Sequence, residues 1–302
     1  MYHRAAGWAA LLVGLPALYL IFDPTASLAF HRSSDGAPRA DARLVADVMI
    51  DGRGPFHFLL DTGASEAIIT HAAVTRLGLT PDPGRWARVQ GVNSHVVAPE
   101  VHVTSLQMGA LRRQDIELPV LPGSLFNDLD GVIGAQDLHG LSVSIDLVDG
   151  HGIVATSIGS AHPVFVADAV PLLSPSLPLV AATIAGVPID VVIDTGSART
   201  LGNTALLRAL DQARAVESLH ASAGIVDVTA LSRRVLAGTT PPLRLGATAV
   251  QPPSISFGDF EVFDQWGLAT RPALLLGMDT LDTLVHFTID YARLQLLLGE
   301  RL

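Results

Sequence analysis

The tripeptide Asp-Thr-Gly occurs twice, each time at the end of an apolar run: FLLDTGASEAIIT over residues 58–70 and VVIDTGSARTLGN over residues 191–203. Burying a strand tip that ends in a carboxylate is costly, because leaving water disfavours the charged form. Two such tips in one chain constrain the fold and its use more than any bulk property does.

The two copies are landmarks of a longer internal repeat. Asp61 and Asp194 are 133 residues apart. Pro55 and Pro188 each stand six residues before the Asp, and strand-like runs, FHFLL and IDVVI, follow them. Thr70 and Asn203 each stand nine after it, as N-caps for the short helical stretches HAAVTRL and TALLRAL. Leu77 and Leu210 match at the ends of those stretches, and Gly91 and Gly224 each stand thirty after the Asp. Further on, DGVIGAQDL parallels ALLLGMDTL, and VSID ending at Asp146 parallels FTID ending at Asp290. Each of these last runs is expected to turn back into another strand, HGIVA or LQLLL. The paired landmarks drift apart where loops differ in length, which loops tolerate. Strands dominate, so the expected architecture is all-β with two similar halves.

Composition excludes several kinds of chemistry. None of the 302 residues is cysteine or lysine; all 19 basic residues are arginines. Disulfides, thiol nucleophiles, thiolate metal sites, Schiff bases and Ser–Lys dyads are therefore ruled out. No His-Glu-x-x-His, Gly-x-Ser-x-Gly or phosphate-loop signature is present, and the 11 histidines are scattered. Neither a metal nor a cofactor is expected. A net charge of −10 without a basic stripe argues against nucleic acid as a partner.

The N-terminus differs from the rest. Arg4 is followed by an uncharged apolar stretch from Ala5 to Phe22 and then by small residues that include Ser27 and Ala29. This reads as a secretory signal or a retained membrane anchor. Its 18 residues lie at the lower edge for a span, which needs about 20. Either reading places the body of the protein outside the cytoplasm, periplasmic or secreted, with a membrane attachment if the segment is kept. The expected division is a signal or anchor at 1–30, a tether at 31–42, a first lobe at 43–160, a Pro- and Ser-rich linker at 161–178 and a second lobe at 179–302.

A duplicated chain brings equivalent points together near a pseudo-twofold axis. With the Asp-Thr-Gly turns there, Asp61 and Asp194 face each other. Two carboxylates about 3 Å apart cannot both ionise easily and share a proton, so one serves as acid and the other as base. That combination suits hydrolysis of an amide by water, with no metal and no covalent intermediate. Gly63 and Gly196 allow the tight turns, and Thr62 and Thr195 are placed to hydrogen-bond across the axis. Ala64 and Ser197 follow the glycines. A hydroxyl on a carboxylate favours its charged form, so this difference predicts an asymmetric pair. Introducing a serine at position 64 would then move the optimum to lower pH.

At these residues the chain resembles the pepsin–retropepsin superfamily of aspartic proteases. LLDTGAS looks like the retropepsin version of the catalytic motif and VIDTGSA like the pepsin version, while GVIG and LLLG match the second, apolar-apolar-Gly signature. The resemblance extends from about Arg43 to Leu298. It implies two pseudo-symmetric retropepsin-like lobes in one chain of the bacterial type, complete as a monomer. Asp61 and Asp194 would be the catalytic pair, and an extended peptide or protein substrate would lie between the lobes. It also implies a flap, for which Gly91, Val92 and Asn93, with Ser94 beside them, and Gly224 in the second half are the candidates; the alternative is an ordinary surface hairpin. Neither segment has the flap tyrosine of pepsin-like enzymes. Trp86 either covers the cleft or fills the core. Glu66 and Arg199, each five after its Asp, either pair with each other or contact substrate ends. Two other functions fit the same fold: an inactive extracytoplasmic peptide-binding module, and a structural envelope protein with a duplicated β domain, which would leave both aspartates without a use.

Overall fold

The computed structural model describes residues 31–32, 43–108, 111–123, 129–147, 151–155, 165–226 and 232–301. The signal or anchor stretch and most of the expected tether lie outside these residues. Among the described residues, no helix is long and apolar enough to cross a membrane.

The chain is built mostly of strands, with four short helices among the described residues. Its first part runs β1 (His31–Arg32), β2 (Leu44–Ile50), β3 (Arg53–Leu60), β4 (Ile68–Thr70), α1 (His71–Leu77), β5 (Asp82–Gln90), β6 (His95–Met108), β7 (Leu111–Leu121) and β8 (Gly131–Ile133). Next come β9 (Ser142–Asp146), β10 (His151–Ala155) and β11 (Phe165–Pro171). The chain continues through β12 (Leu179–Ile184), β13 (Val187–Ile193), β14 (Leu201–Asn203), α2 (Thr204–Gln212), β15 (Glu217–Val226) and β16 (Ser232–Thr239). Last are β17 (Leu243–Leu245), β18 (Thr248–Val250), β19 (Ile255–Gly258), α3 (Glu261–Gln265), β20 (Ala273–Leu276), α4 (Met278–Leu281), β21 (His286–Asp290) and β22 (Gln295–Arg301).

Two large sheets carry the repeat. The first is ordered β1-β2-β3-β8-β4-β7-β6-β5, and the second contains β12-β13-β20-β14-β19-β16-β15, extended by β17 and β18. From β2 and from β12 onward the two orders correspond strand for strand. The senses match as well: β3–β8 and β13–β20 are parallel, as are β4–β7 and β14–β19, while β4–β8 and β14–β20 are antiparallel. The strand that ends in each Asp lies inside its sheet, between an antiparallel and a parallel neighbour, and its last three residues are all buried and apolar.

The matched helices start as their sequences require. The Thr70 side chain accepts a hydrogen bond from the Ala73 N–H, and the Asn203 side chain accepts one from Leu206. Leu77 and Leu210 are both buried against the sheets.

A third, five-stranded sheet ordered β10-β9-β21-β22-β11 joins the two parts. Its centre is the antiparallel pair β9–β21, in which Ser144 lies opposite Thr288. These are equivalent residues of the repeat, and the Thr288 hydroxyl donates to Ser144 Oγ at 3.0 Å. Equivalent strands paired about equivalent residues mark the position of a pseudo-twofold axis.

The sequence presents residues 161–178 as an open linker, but part of this stretch is β11, which pairs along its whole length with β22. Its apolar run FVADAV has the β-branched content of a strand, and its proline stands at the end of an edge strand, where a missing N–H costs little. One buried cluster reaches through all three sheets, from Leu60 and Ile193 behind the Asp tips to Phe287 and Ile289 in the joining sheet.

Candidate active site

Each Asp-Thr-Gly turn is anchored from behind by the second apolar signature. The Asp61 N–H donates to Ile133 O and the Asp194 N–H to Leu276 O, both at 3.0 Å. Beyond these strands, Ala135 N–H donates to Ala64 O and Met278 N–H to Ser197 O, both at 2.8 Å. Gly134 is packed on the backbone of Glu66, and Gly277 on that of Arg199, so closely that a Cβ at either glycine would collide with it. The two turns are thus held by equivalent contacts.

The carboxylates are held by their own turns. Gly63 N–H and Ala64 N–H both donate to Asp61 Oδ1 at 2.9 Å. Gly196 N–H and Ser197 N–H donate to Asp194 Oδ1 at 2.8 and 3.1 Å. The glycine of each turn lies against the carboxyl group of the other: a Cβ at Gly63 would stand 2.5 Å from Asp194 Cγ, and one at Gly196 would run into Asp61. The two side chains hydrogen-bond to each other. Two carboxyl groups this close favour sharing one proton over carrying two charges.

Electrostatics agree with this count. Burial pushes the Asp194 pKa well above the ordinary aspartate range, and the neighbouring Asp61 charge pushes it further. Burial also raises the pKa of Asp61, against the pull of its hydrogen bonds to Asp194, Ala64 and Gly63. Asp194 is 6% exposed, while Asp61 is only half-buried and opens to the cleft. The pair titrates as a unit. Tyr291, buried beside Leu141 in the joining region, is kept neutral first by burial and then by the charge of Asp61 and Asp194.

Below the carboxylates the threonines interlock. Thr62 Oγ1 donates to Ile193 O and Thr195 Oγ1 donates to Leu60 O, both at 2.7 Å. In return each hydroxyl accepts the other residue's N–H, at 3.1 and 3.2 Å.

A cleft of about 380 Å³ opens over the pair, lined by Gly91 and Val92, by Gly224 and Ile225, and by Val262 and Trp266. Gly91, Val92 and Asn93 form the tip of the β5–β6 hairpin, and Gly224 lies on β15 of the β15–β16 hairpin. The hairpins meet: the fully buried Asn93 donates from Nδ2 to Ile225 O at 2.8 Å. Val262 N–H donates to Val92 O at 3.2 Å, and Glu261 pairs with Arg88 and His95. Ser94 O accepts from Gly91 N–H and from Gln90 Nε2, which closes the tip.

The residues singled out from the repeat thus come together around one cleft, with three differences in detail. Ser197 Oγ donates to Arg199 O at 2.8 Å and not to Asp194, so the expected source of asymmetry is absent. The two carboxyl groups differ in exposure, Asp194 being the less accessible of the two. Trp86 is 59% exposed and bonds Pro83 O, so it neither fills the core nor covers the cleft. Glu66 and Arg199 are not joined by an ion pair among the described residues; Glu66 lines an adjoining pocket and Arg199 lines the cleft. Sequence reasoning missed Trp266 and Val262, which α3 and its end bring to the cleft.

Residues 46–136, which hold the first turn, the β5–β6 hairpin and the GVIG strand, match the family described as Aspartyl protease. This segment belongs to the aspartic protease superfamily. The match contains Asp61 and ends before the joining sheet, so Asp194 lies beyond it. No curated protein matches the chain.

Proposed function

We propose that the chain is an extracytoplasmic aspartic endopeptidase of two retropepsin-like lobes, active as a monomer, with Asp61 and Asp194 as its catalytic pair. The observation that carries this reading is the contact between two carboxyl groups with raised pKa values at the floor of one cleft. The matched strand orders of the two large sheets support the two-lobe reading. The apolar stretch at residues 5–22 supports export, by a cleaved signal or a retained anchor.

The chemistry follows from one shared proton. The ionised member takes a proton from a water held between the pair, and the water oxygen bonds to the carbonyl carbon of the scissile amide. The protonated member gives its proton to the carbonyl oxygen, so a neutral tetrahedral diol forms without net transfer of charge. Collapse reverses the roles: the newly protonated carboxyl delivers its proton to the leaving nitrogen, and the other recovers one from a diol hydroxyl. Val92, Ile225, Val262, Trp266 and Leu275 give the cleft an apolar part, and a substrate that displaces water against it strengthens each of these interactions. An extended substrate would lie beneath the two hairpins, which offer backbone groups at Gly91 and Gly224.

The test is cleavage of a peptide library across acid to neutral pH by the wild type, Asp61→Asn and Asp194→Asn. Cleavage by the wild type alone, blocked by a statine-type mimic of the tetrahedral intermediate, is the expected result. Two single variants that both still cut would end the mechanism. Peptide binding without cleavage at any pH would favour the inactive binding module.

A further inference from the structure

Glu66 and Arg199 occupy equivalent places on the two sides of the carboxylate pair. Each is five residues beyond its Asp, and each has its backbone seated on the glycine of the second signature, Gly134 or Gly277. A pseudo-twofold axis that relates Thr62 to Thr195 therefore relates Glu66 to Arg199. A peptide that crosses this axis at its scissile bond meets the two positions at equal distances, one on each side. In a symmetric enzyme the two positions would carry the same charge. Here they carry opposite charges.

The surroundings differ on the two sides. Glu66 lines a pocket of about 830 Å³ that shares Gly63, Ala64 and Trp266 with the cleft over the pair. Glu117, which pairs with Arg85 at 3.1 Å, and Asp137, whose pKa burial raises, line the same pocket. Its arginine, Arg113, is 9% exposed, donates to the carbonyl oxygens of Asp137 and Gln136 at 2.5 and 3.4 Å, and favours the ionised form of Asp137 by its charge. Across the axis Arg199 is exposed in the cleft, with Arg43 lining the same space. Among the described residues, no carboxylate other than Asp61 and Asp194 lines that cleft.

We propose that this cleft is electrically polarised: it selects an extended peptide with a basic side chain on the Glu66 side of the scissile bond and an acidic side chain on the Arg199 side. The inference rests on the peptidase reading above and adds a substrate class to it. Glu66 and Arg199 act as specificity-determining residues, and their opposite signs also fix the direction in which a peptide lies. Complementary charge favours the correct pairing, and the reversed order places like charges together at both ends.

The test uses the full chain and matched peptides from near-neutral to mildly alkaline pH, because burial and then the charges of Glu100 and Asp137 raise the Glu66 pKa. One peptide has Arg and Asp equally spaced about the scissile bond, a second has them exchanged, and a third is neutral at both places. One order should exceed the other by about threefold to tenfold in kcat/KM, with the neutral peptide between them. In the double variant Glu66→Arg/Arg199→Glu the preferred order should invert. The readout is the ratio of the two orders within each protein, so a general loss of activity does not enter it. Equal rates for both orders in the wild type, or a preference that survives the exchange, would overturn the proposal. If no peptide is cut, the peptidase reading fails, and the same ratio is read from binding of labelled peptides to the wild type. Order-dependent binding that inverts in the double variant supports the polarised cleft, and order-independent binding overturns it.

Discussion

The hydroxyl oxygens of Thr62 and Thr195 lie 3.4 Å apart although the residues are 133 positions apart in the chain. Each threonine donates to the carbonyl that precedes the other half's aspartate and accepts the other's N–H. Both are essentially inaccessible to water, at 0% and 1% exposure. The two halves are therefore locked together directly beneath the two carboxyl groups, and the spacing of the pair is set by these hydrogen bonds rather than by the cleft.

Replacing either threonine with valine keeps the shape and removes the lock. Thr62→Val leaves Ile193 O and Thr195 N–H without their partner in a buried place. Each orphaned group costs about 1–3 kcal/mol. Urea unfolding should show a fall in midpoint of that order. Peptide cleavage should fall more than stability does, because a loosened pair no longer shares its proton. A Thr62→Val protein with unchanged midpoint and full activity would show that the interlock holds nothing.

Gly196→Ala tests the close approach of the turns. A methyl group there runs into the Asp61 carboxyl, which sits in a ring of fixed hydrogen bonds and cannot give way freely. Loss of cleavage with a folded circular dichroism spectrum is the expected outcome. Gly186→Ala is the control: nothing stands within 4 Å of an added Cβ there, although its φ of +80° strains any side chain. That protein should lose some stability and keep its activity.

Much of this site was legible because the repeat states it twice. Asp61, Thr62 and Gly63 have counterparts at one constant offset, and so do the caps Thr70 and Asn203. Any fold that superposes the halves must superpose these residues. What was not legible depends on contacts between distant parts of the chain. Trp266 and Val262 reach the cleft through the placement of α3, which is a tertiary contact and not a local pattern. The strand in the linker depends on a partner at the far C-terminal end, which no local pattern reveals. The path of the Ser197 hydroxyl depends on the local turn, where Arg199 O is the nearer acceptor.

The raised pKa values of the pair predict how stability responds to pH. A carboxyl group whose pKa is higher in the folded state binds its proton more tightly there than in the unfolded chain. Its favourable contribution is complete below the unfolded value and is lost as pH rises through the folded one. Neutral pH therefore works against folding at Asp194, where burial and the Asp61 charge both disfavour ionisation. Asp194→Asn removes that opposition and keeps an acceptor for the Gly196 and Ser197 N–H groups. The variant should be inactive yet more resistant to urea than the wild type at neutral pH, with the difference shrinking toward acid pH. A variant less stable than the wild type at every pH would contradict this account.

The Ser197 geometry also changes what a serine at position 64 should do. Because Ser197 Oγ turns to a backbone carbonyl two residues on, Ala64→Ser should place its hydroxyl in the same way, on Glu66 O. The pH–rate profile should then keep both limbs where they are in the wild type. A shift of the profile to lower pH would mean that the new hydroxyl reaches Asp61 instead.

Asn93 offers a way to test the roof of the cleft separately from its floor. Its amide joins the β5–β6 hairpin to Ile225 O on the opposing hairpin, and both Val92 and Ile225 line the space over the carboxylates. Breaking this bond leaves the aspartates and their threonine lock untouched. A hydrogen bond of this kind contributes about 0.5–1.5 kcal/mol, which corresponds to roughly twofold to tenfold in an equilibrium constant. Asn93→Ala should therefore raise KM within that range and change kcat less, because substrate is held less firmly while the proton-sharing pair is intact. The neighbouring ties, from Val262 N–H to Val92 O and from Glu261 to Arg88 and His95, still hold the β5–β6 hairpin to α3 beside the cleft. A collapse of kcat with KM unchanged would place Asn93 in the chemical step and not in the roof.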